Sequence, residues 1–469
     1  MTAVRRSVGG RVKEQSEMRV FMLGWEFPPF ISGGLGTACY GLTKAMSGIG
    51  TDIMFVLPRP VSTPFSTHVR LVSPRPGSHL ASPSTEFRLD EFEHVTFRTV
   101  NAQLSPYTTP ADYQKQQEEA AARDKQRAAL EQAGVDPSKS ALHPQGFVGN
   151  PNAAGSPYGG DLLAEIQRYA LLATEIARQE GFDVVHAHDW MTFPAGLAVA
   201  ALKGVPLIVH VHSTEFDRSG VHVDQRIYDI ERRGMHGALK IIAVSHLTKN
   251  QITHQYGIDP AKVEVVYNAI EPGANGFNEE KYSIHKDEKI VLFLGRITMQ
   301  KGPEYFLAAA RKVLEVMDNV KFVMAGSGDM IRRTIEMAAS MGIGHKVLFT
   351  GFLRGPDVEK VFKMADLYVM PSVSEPFGIA PLEAMSHDVP VIISKQSGVS
   401  EVLTHALKVD FWDINEMANK IIAVLKHPPL ASTLREHGSF EVRRLSWTDA
   451  ARQCVQVYEQ ARGIMNGKS

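Results

Sequence analysis

From Arg19 onward, short apolar runs bounded by Gly, Pro or polar residues alternate with longer stretches of helical period, the pattern of repeated strand and helix units. Such units predict parallel sheets. In the first half the runs place strands at Arg19 to Gly24, Asp52 to Leu57, Asp183 to His188, Pro206 to His212, Lys240 to Ser245 and Val263 to Ile270. A polar stretch from Glu271 to Glu288, with Pro272, Gly273 and Gly276, then interrupts the pattern and reads as a linker. The pattern restarts at Ile290 to Arg296 and continues with Lys321 to Gly326, Val347 to Gly351, Asp366 to Ser372 and Val389 to Ser394. Two doubly wound halves follow, with a last helical pattern from Trp447 to Arg462. The expected division is a disordered leader (1–17), a first domain (18–272) carrying an insertion (61–160), a linker (273–288), a second domain (289–445) and a terminal helical segment (446–469). The insertion contains a charged helical candidate, Ala111 to Gln132, and a Pro/Gly/Asn-rich tract, Gly134 to Gly160. A surface excursion and a lid over a ligand cleft are both open readings of it.

Composition narrows the classes. A chain of 469 residues with 44% hydrophobic content supports two cores. A net charge of -1 gives no electrostatic footprint for nucleic acid. Only Cys39 and Cys454 are present, which excludes a disulfide framework and a four-thiolate zinc site and fits a reducing compartment, with the cytoplasm the default address. No run reaches transmembrane length, and the leader, with Arg5, Arg6, Arg11 and Lys13, lacks the apolar core of a secretory signal. Peripheral membrane contact stays open.

Candidate chemistry gathers where strands meet helices. Gly33-Gly34-Leu35-Gly36 follows the first strand and precedes a helix expected near Thr37, so backbone N–H groups can face an anion. Its spacing is not the dinucleotide fingerprint, because Cys39 stands at the last glycine position and no acid closes the second strand. His186-Ala187-His188-Asp189-Trp190 and His210-Val211-His212-Ser213 end adjacent strands. Four histidines on shared strand faces make a metal site conceivable. Burial in a parallel sheet favours satisfied core histidines instead, with Asp189 and His212 reaching a cleft. Arg296 and Lys301 lie between a strand and a helix entered at Pro303, a placement that would bind and neutralise a diphosphate. Glu375-Pro376-Phe377-Gly378-Ile379 leads into a helix carrying Glu383. Those two acids could serve as an acid and base pair or as metal ligands. A role in accepting hydrogen bonds from sugar or ribose hydroxyls fits better, with Gly378 and Ile379 offering N–H groups to phosphate.

These motifs, in this order and at these separations, resemble the retaining glycosyltransferases of the GT-B type, family 4, close to the glycogen and starch synthases. The likeness covers Arg19 to about Arg462 and is strongest in the first half at Trp25-Glu26-Phe27-Pro28-Pro29 and His186 to Trp190. It implies an α/β GT-B fold: two Rossmann-like doubly wound domains, an interdomain cleft and a terminal helix crossing back to the first domain. It also implies donor contacts by Gly33, Gly34, Arg296, Lys301, Glu375, Phe377, Gly378, Ile379 and Glu383, and catalytic parts for Asp189, His212, Arg296, Lys301 and Glu375. Within that scheme Arg296 and Lys301 hold the diphosphate, Glu375 the sugar's 3- and 4-hydroxyl region and Glu383 the ribose. His212 lies beside the reacting carbon and the 6-hydroxyl. One departure is Ile31-Ser32 before the glycines, where bacterial glycogen synthases carry Lys-Thr. The implied activity is transfer of glucose from ADP- or UDP-glucose to an α-glucan, without metal or cofactor. The alternative acceptors are a surface polysaccharide, a glycolipid or a small molecule, and the rivals from other classes are a metal-dependent hydrolase and a nucleotide-sugar binding protein.

Overall fold

A computed structural model describes residues 18–27, 33–58, 69–72, 85–89, 92–100, 102, 104, 162–270 and 288–467. The leader, the helical candidate at Ala111 to Gln132, the tract at Gly134 to Gly160 and nearly all of the linker lie outside the described residues.

The first sheet comprises β1 (Arg19–Leu23), β2 (Asp52–Leu57), β3 (Val69–Val72), β4 (Thr85–Leu89), β5 (Val95–Thr99), β6 (Val184–His188), β7 (Leu207–Val211), β8 (Lys240–Ala243) and β9 (Val263–Val265). Their order is β3-β4-β5-β2-β1-β6-β7-β8-β9. Pairing is parallel except that β4 runs against both β3 and β5. The second sheet, parallel throughout, comprises β10 (Lys289–Leu294), β11 (Val320–Ala325), β12 (Val347–Gly351), β13 (Leu367–Met370), β14 (Val391–Ser394) and β15 (Leu407–Val409), in the order β12-β11-β10-β13-β14-β15. β6 and β7 are buried at every position, as central strands covered on both faces must be.

Both sheets reverse direction beside their first strand: the chain leaves β1 toward β2 and returns on the other side at β6, and leaves β10 toward β11 and returns at β13. Such switch points open a crevice at the carboxyl ends of the strands. The topology therefore places the loops after β1, β6, β10 and β13 at two crevices before any side chain is considered.

Three differences from the sequence reading have physical causes. Within 61–160 the chain is not a pure excursion, since β3, β4 and β5 extend the first sheet and Val95–Thr99 alternates buried and half-buried positions at the strand period. β9 stops at Val265 rather than Ile270, and beyond it Val266, Ala269 and Ile270 are buried as loop residues. β15 was not expected, because Leu407–Val409 is only three residues long, with Lys408 between its two apolar positions, at a sheet edge.

The terminal helix, Trp447–Met465, does cross back onto the first sheet. Ser446 caps it by accepting a hydrogen bond from the Thr448 N–H, Tyr458 reaches His186 at 2.6 Å, and Arg462 pairs with Asp183 at 3.3 Å. Its Trp447 lies against Gly41 of the helix Gly34–Gly48, so closely that a Cβ at Gly41 would stand 2.3 Å from the indole ring. No helix among the described residues is long and apolar enough to cross a membrane.

The Gly41 contact yields a stability prediction. Gly41→Val should cost about 1–3 kcal/mol by overpacking against Trp447, read as a lower denaturant midpoint at unchanged slope. A loss within about 0.5 kcal/mol would show that the terminal helix is not packed there.

Candidate active site

Gly302 organises the second crevice. Its φ of +66° is left-handed, and a Cβ there would stand 2.1 Å from the Pro371 carbonyl oxygen, so only glycine lets this turn press onto the loop after β13. Val373 N–H donates to the Gln300 carbonyl at 2.9 Å and fastens the two loops. The consequence is the pairing of Lys301 Nζ with Glu375 Oε2 at 2.5 Å, supported by Ser372 Oγ donating to the same oxygen at 3.2 Å. An ammonium has three protons, so Lys301 keeps donors for an anion while holding Glu375. Arg296, on the same loop, reaches Gln300 Oε1 at 3.3 Å. The helix that follows starts at Pro303, as the sequence predicts.

The segment after Glu375 is stitched to its neighbour rather than coiled. Glu375 N–H donates to Gln396 O, Gly398 N–H to Glu375 O and Val399 N–H to Phe377 O, at 2.8–3.0 Å. Phe377 is 3% exposed and its ring packs toward Tyr267, so its side chain belongs to the core and only its backbone is left for a ligand. Gly378 turns with φ +102°, Ile379 caps the helix Ala380–Ser386, and Ile379 packs against apolar clusters of both halves. That helix begins two residues later than the expected Gly378. Glu383 sits in its first turn, partly open at the surface but densely surrounded, and burial pushes its carboxyl up to about 7.

Across the seam, Asp189 ends β6 with a left-handed φ of +60°, which a non-glycine residue adopts only when its surroundings impose it. Its Oδ1 accepts hydrogen bonds from the N–H groups of His212 at 2.7 Å and Ser213 at 3.3 Å. Burial raises this carboxyl to about 7, against the opposing pull of Arg218 and the two amides. Asp189 thus fixes the backbone that presents His212, whose Nε2 lies 2.9 Å from His188 Nδ1.

Below them sits a buried ionic cluster that sequence reasoning missed. Arg218 meets Glu231 at 2.5 Å, Glu215 at 3.2 Å and Ser213 Oγ at 2.8 Å, and its guanidinium lies over Trp190. Tyr256 donates to Glu231 as well. The readable part was the capping box at Thr214 and Asp217; the rest was not, because Glu231 alone looks like an exposed helical acid.

The glycine turn departs from the sequence reading. The helix begins at Gly34, not near Thr37, and Gly33 is its N-cap. The Gly36 N–H donates to Glu26 Oε2 at 3.2 Å, so a buried carboxylate of the chain itself stands at this helix end. A diphosphate placed there would meet like charge, which leaves Arg296 and Lys301 as the cations suited to it.

Three hydrogen-bonded links bring the two crevices together: Ser374 Oγ to Asp217 Oδ1 at 2.5 Å, Ser245 Oγ to Pro376 O at 2.6 Å, and Glu401 accepting the His246 and Leu247 N–H groups at 2.9 and 2.7 Å. These links set the loop after β7, which carries His212, against the segment that carries Glu375. His186, His188 and His210 are at most 1% exposed, and burial holds all three well below the usual imidazole range, His188 at about 3. They are core residues, as expected, and His186 and His188 each have one ring partner, Tyr458 and His212, while His186 Nε2, His188 Nε2 and both ring nitrogens of His210 have no hydrogen-bond partner among the described residues.

Comparison with known proteins identifies the frame. Residues 275–439 match the family described as glycosyl transferases group 1, and residues 128–273 match glycosyltransferase family 4. The chain is 35% identical over 301 residues to an uncharacterized glycosyltransferase of Methanocaldococcus jannaschii, covering 61% of this chain and 77% of that protein. It is 24% identical over 457 residues to a glycogen synthase of Mycobacterium tuberculosis, covering 95% of each. Among solved structures, a sucrose-phosphate synthase from Thermosynechococcus elongatus superposes with a TM-score of 0.68 at 18% identity, covering 95% of this chain and 99% of that one.

The Glu383 environment sets a pH signature. Because the folded state holds this proton up to about 7 while the unfolded chain releases it near 4.5, its contribution to stability falls as pH rises between those values and is then constant. Glu383→Gln should gain stability relative to the parent between about pH 5 and about pH 8 in urea unfolding. A difference independent of pH would show that Glu383 titrates normally.

Proposed function

Because the chain belongs to the group 1, family 4 glycosyltransferases, we propose that it is a retaining hexosyltransferase that moves glucose from ADP- or UDP-glucose to an α-glucan. The observation that carries this reading is the Lys301–Glu375 pair at a switch point, with the neighbouring Ser374 bonded across the seam to Asp217 in the loop that follows His212. A diphosphate leaving group needs fixed positive charge, and Arg296 and Lys301 supply it from a turn locked by Gly302. Glu375 accepts hydrogen bonds from sugar hydroxyls and Glu383 from the ribose diol. Asp189 and Glu375 each commit an oxygen to fixed partners, which suits positioning better than nucleophilic attack and favours departure and arrival on the same face of the sugar. The backbone at His212, held by Asp189, lies beside the reacting carbon. The helix N-terminus at Gly34, already facing Glu26, contributes less to the donor phosphates than the glycine motif suggested.

An α-glucan acceptor is favoured by the full-length similarity to a glycogen synthase. The Ile31-Ser32 pair preceding the glycines, where bacterial glycogen synthases carry Lys-Thr, favours the second reading, a surface polysaccharide, glycolipid or small acceptor. The two buried thiols, Cys39 and Cys454, suit a cytoplasmic enzyme.

The deciding experiment is mass-resolved product analysis from ADP-glucose and UDP-glucose, each with and without glycogen. Elongation is the expected result and names the donor. Donor turnover without elongation moves the acceptor to the second reading, and binding without turnover on any acceptor would contradict transfer altogether. In the elongation assay, Arg296→Ala and Lys301→Ala should lower kcat by about 10²–10³-fold with a smaller change in donor KM. A loss confined to KM would show that the two cations bind the donor without stabilising the leaving group.

A further inference from the structure

Between Val373 and Pro376 the bonding of the chain alternates. The N–H groups of Val373 and Glu375 donate to Gln300 and Gln396 of the second half, while the Ser374 hydroxyl and the Pro376 carbonyl are bonded to Asp217 and Ser245 of the first. Glu375 is also bridged to Ser397 in the parallel sense, as a strand residue is. Neighbouring side chains of such a stretch leave the backbone on opposite sides. Holding Ser374 against the first half therefore fixes how the segment is rotated about its own axis, and with it the direction in which the Glu375 carboxylate leaves toward Lys301.

The group that holds Ser374 is itself firmly placed. Asp217 is 2% exposed, and its Oδ2 accepts the Thr214 N–H at 2.7 Å and the Thr214 hydroxyl at 3.0 Å. Arg218, the next residue, ties the same short helix, Glu215–Ser219, to Glu231 and Ser213. Asp217 Oδ1 then faces the seam, where Ser374 Oγ donates to it at 2.5 Å. Burial pushes this carboxyl up, and the Ser374 bond is foremost among the contacts that oppose the push. The end of the same helix meets the other loop of the second crevice, since a Cβ at Gly220 would stand 3.7 Å from the Met299 methyl, two residues before Lys301. One short element of the first half, entered directly after His212, thus touches both loops that carry Lys301 and Glu375.

We propose, on the basis of the transfer reading above, that Asp217 and Ser374 are positioning residues, which set the Glu375 carboxylate in register with the loop that presents His212. They act through Glu375 rather than on the donor. Breaking their bond leaves the diphosphate with Arg296 and Lys301 but loosens the hold on the sugar hydroxyls that Glu375 accepts, and a small misplacement of such a group is costly. The effect falls on recognition and turnover of the sugar, not on the stability of either half.

The test compares kcat/KM for the nucleotide-activated glucose with that for its 4-deoxy analogue in the transfer assay, a ratio that does not depend on the fraction of folded enzyme. In Ser374→Ala this ratio should fall about 3–10-fold, because a displaced Glu375 discriminates less between a hydroxyl and its absence. Ser374→Thr, which keeps the hydroxyl, should restore it. In an Asp217→Ala background the serine substitution should change the ratio no further, as expected of two residues acting through one bond. An unchanged ratio in Ser374→Ala would overturn the proposal, as would fully additive effects in the double variant. If Asp217→Ala does not fold, the Ser374 variants decide alone. If the parent protein transfers no sugar to any acceptor, the proposed function fails by itself and hydrogen exchange decides the pair. Ser374→Ala should then speed exchange in both 213–217 and 372–377, and Ser374→Thr in neither; speeding confined to 372–377 would overturn the coupling.

Discussion

The segment from Ser372 to Phe377 is the constraint on which the cleft depends. It is held from three directions. Val373 is bound to the turn after β10, Glu375 and Phe377 to the loop after β14, and Ser374 and Pro376 to the first half of the chain. Each bond is ordinary in strength, but together they leave the Glu375 carboxylate one position, beside Lys301. Catalytic and binding groups need such over-determination, because a misplacement of about 1 Å costs much of their effect.

On the facing side, buried charge performs the same task. Arg218 sits among Glu215, Glu231 and Ser213, in a region where Asp189 and Asp217 are also buried and burial pushes both their carboxyls up. Removing one member of such a group leaves its partner charge uncompensated, so the cluster enforces a single arrangement of the loop after β7 rather than adding much net stability. That loop carries His212. The left-handed Asp189 belongs to the same economy, since its two amide bonds hold a backbone geometry that an isolated aspartate would not choose.

Much of this was legible from the chain. Runs such as Val184–His188 and Lys289–Leu294 are long enough and apolar enough to declare central strands, and the residues directly after them fell at switch points because parallel sheets leave few other arrangements. Arg296, Lys301, Glu375 and Asp189 were placed at strand ends that way. The misses share a different cause. β3 and β4 are short strands at the sheet edge, outside the strand–helix rhythm, and the alternation of Val95–Thr99 was readable but lay within the same lapse. The Glu26 carboxylate at Gly36, the Arg218–Glu231 pair and the Tyr458–His186 bond join residues 10 to 272 positions apart, and only tertiary packing pairs them.

On the proposed function, a nucleotide sugar binds at the seam between the two carboxyl edges. Hydrogen exchange of the full chain with and without saturating ADP-glucose or UDP-glucose tests it most directly. Slowed exchange is expected in 295–302 and 374–383, together with 211–218 across the seam, with little change in the terminal helix. Binding that leaves those three segments unaltered and protects amides elsewhere would contradict it.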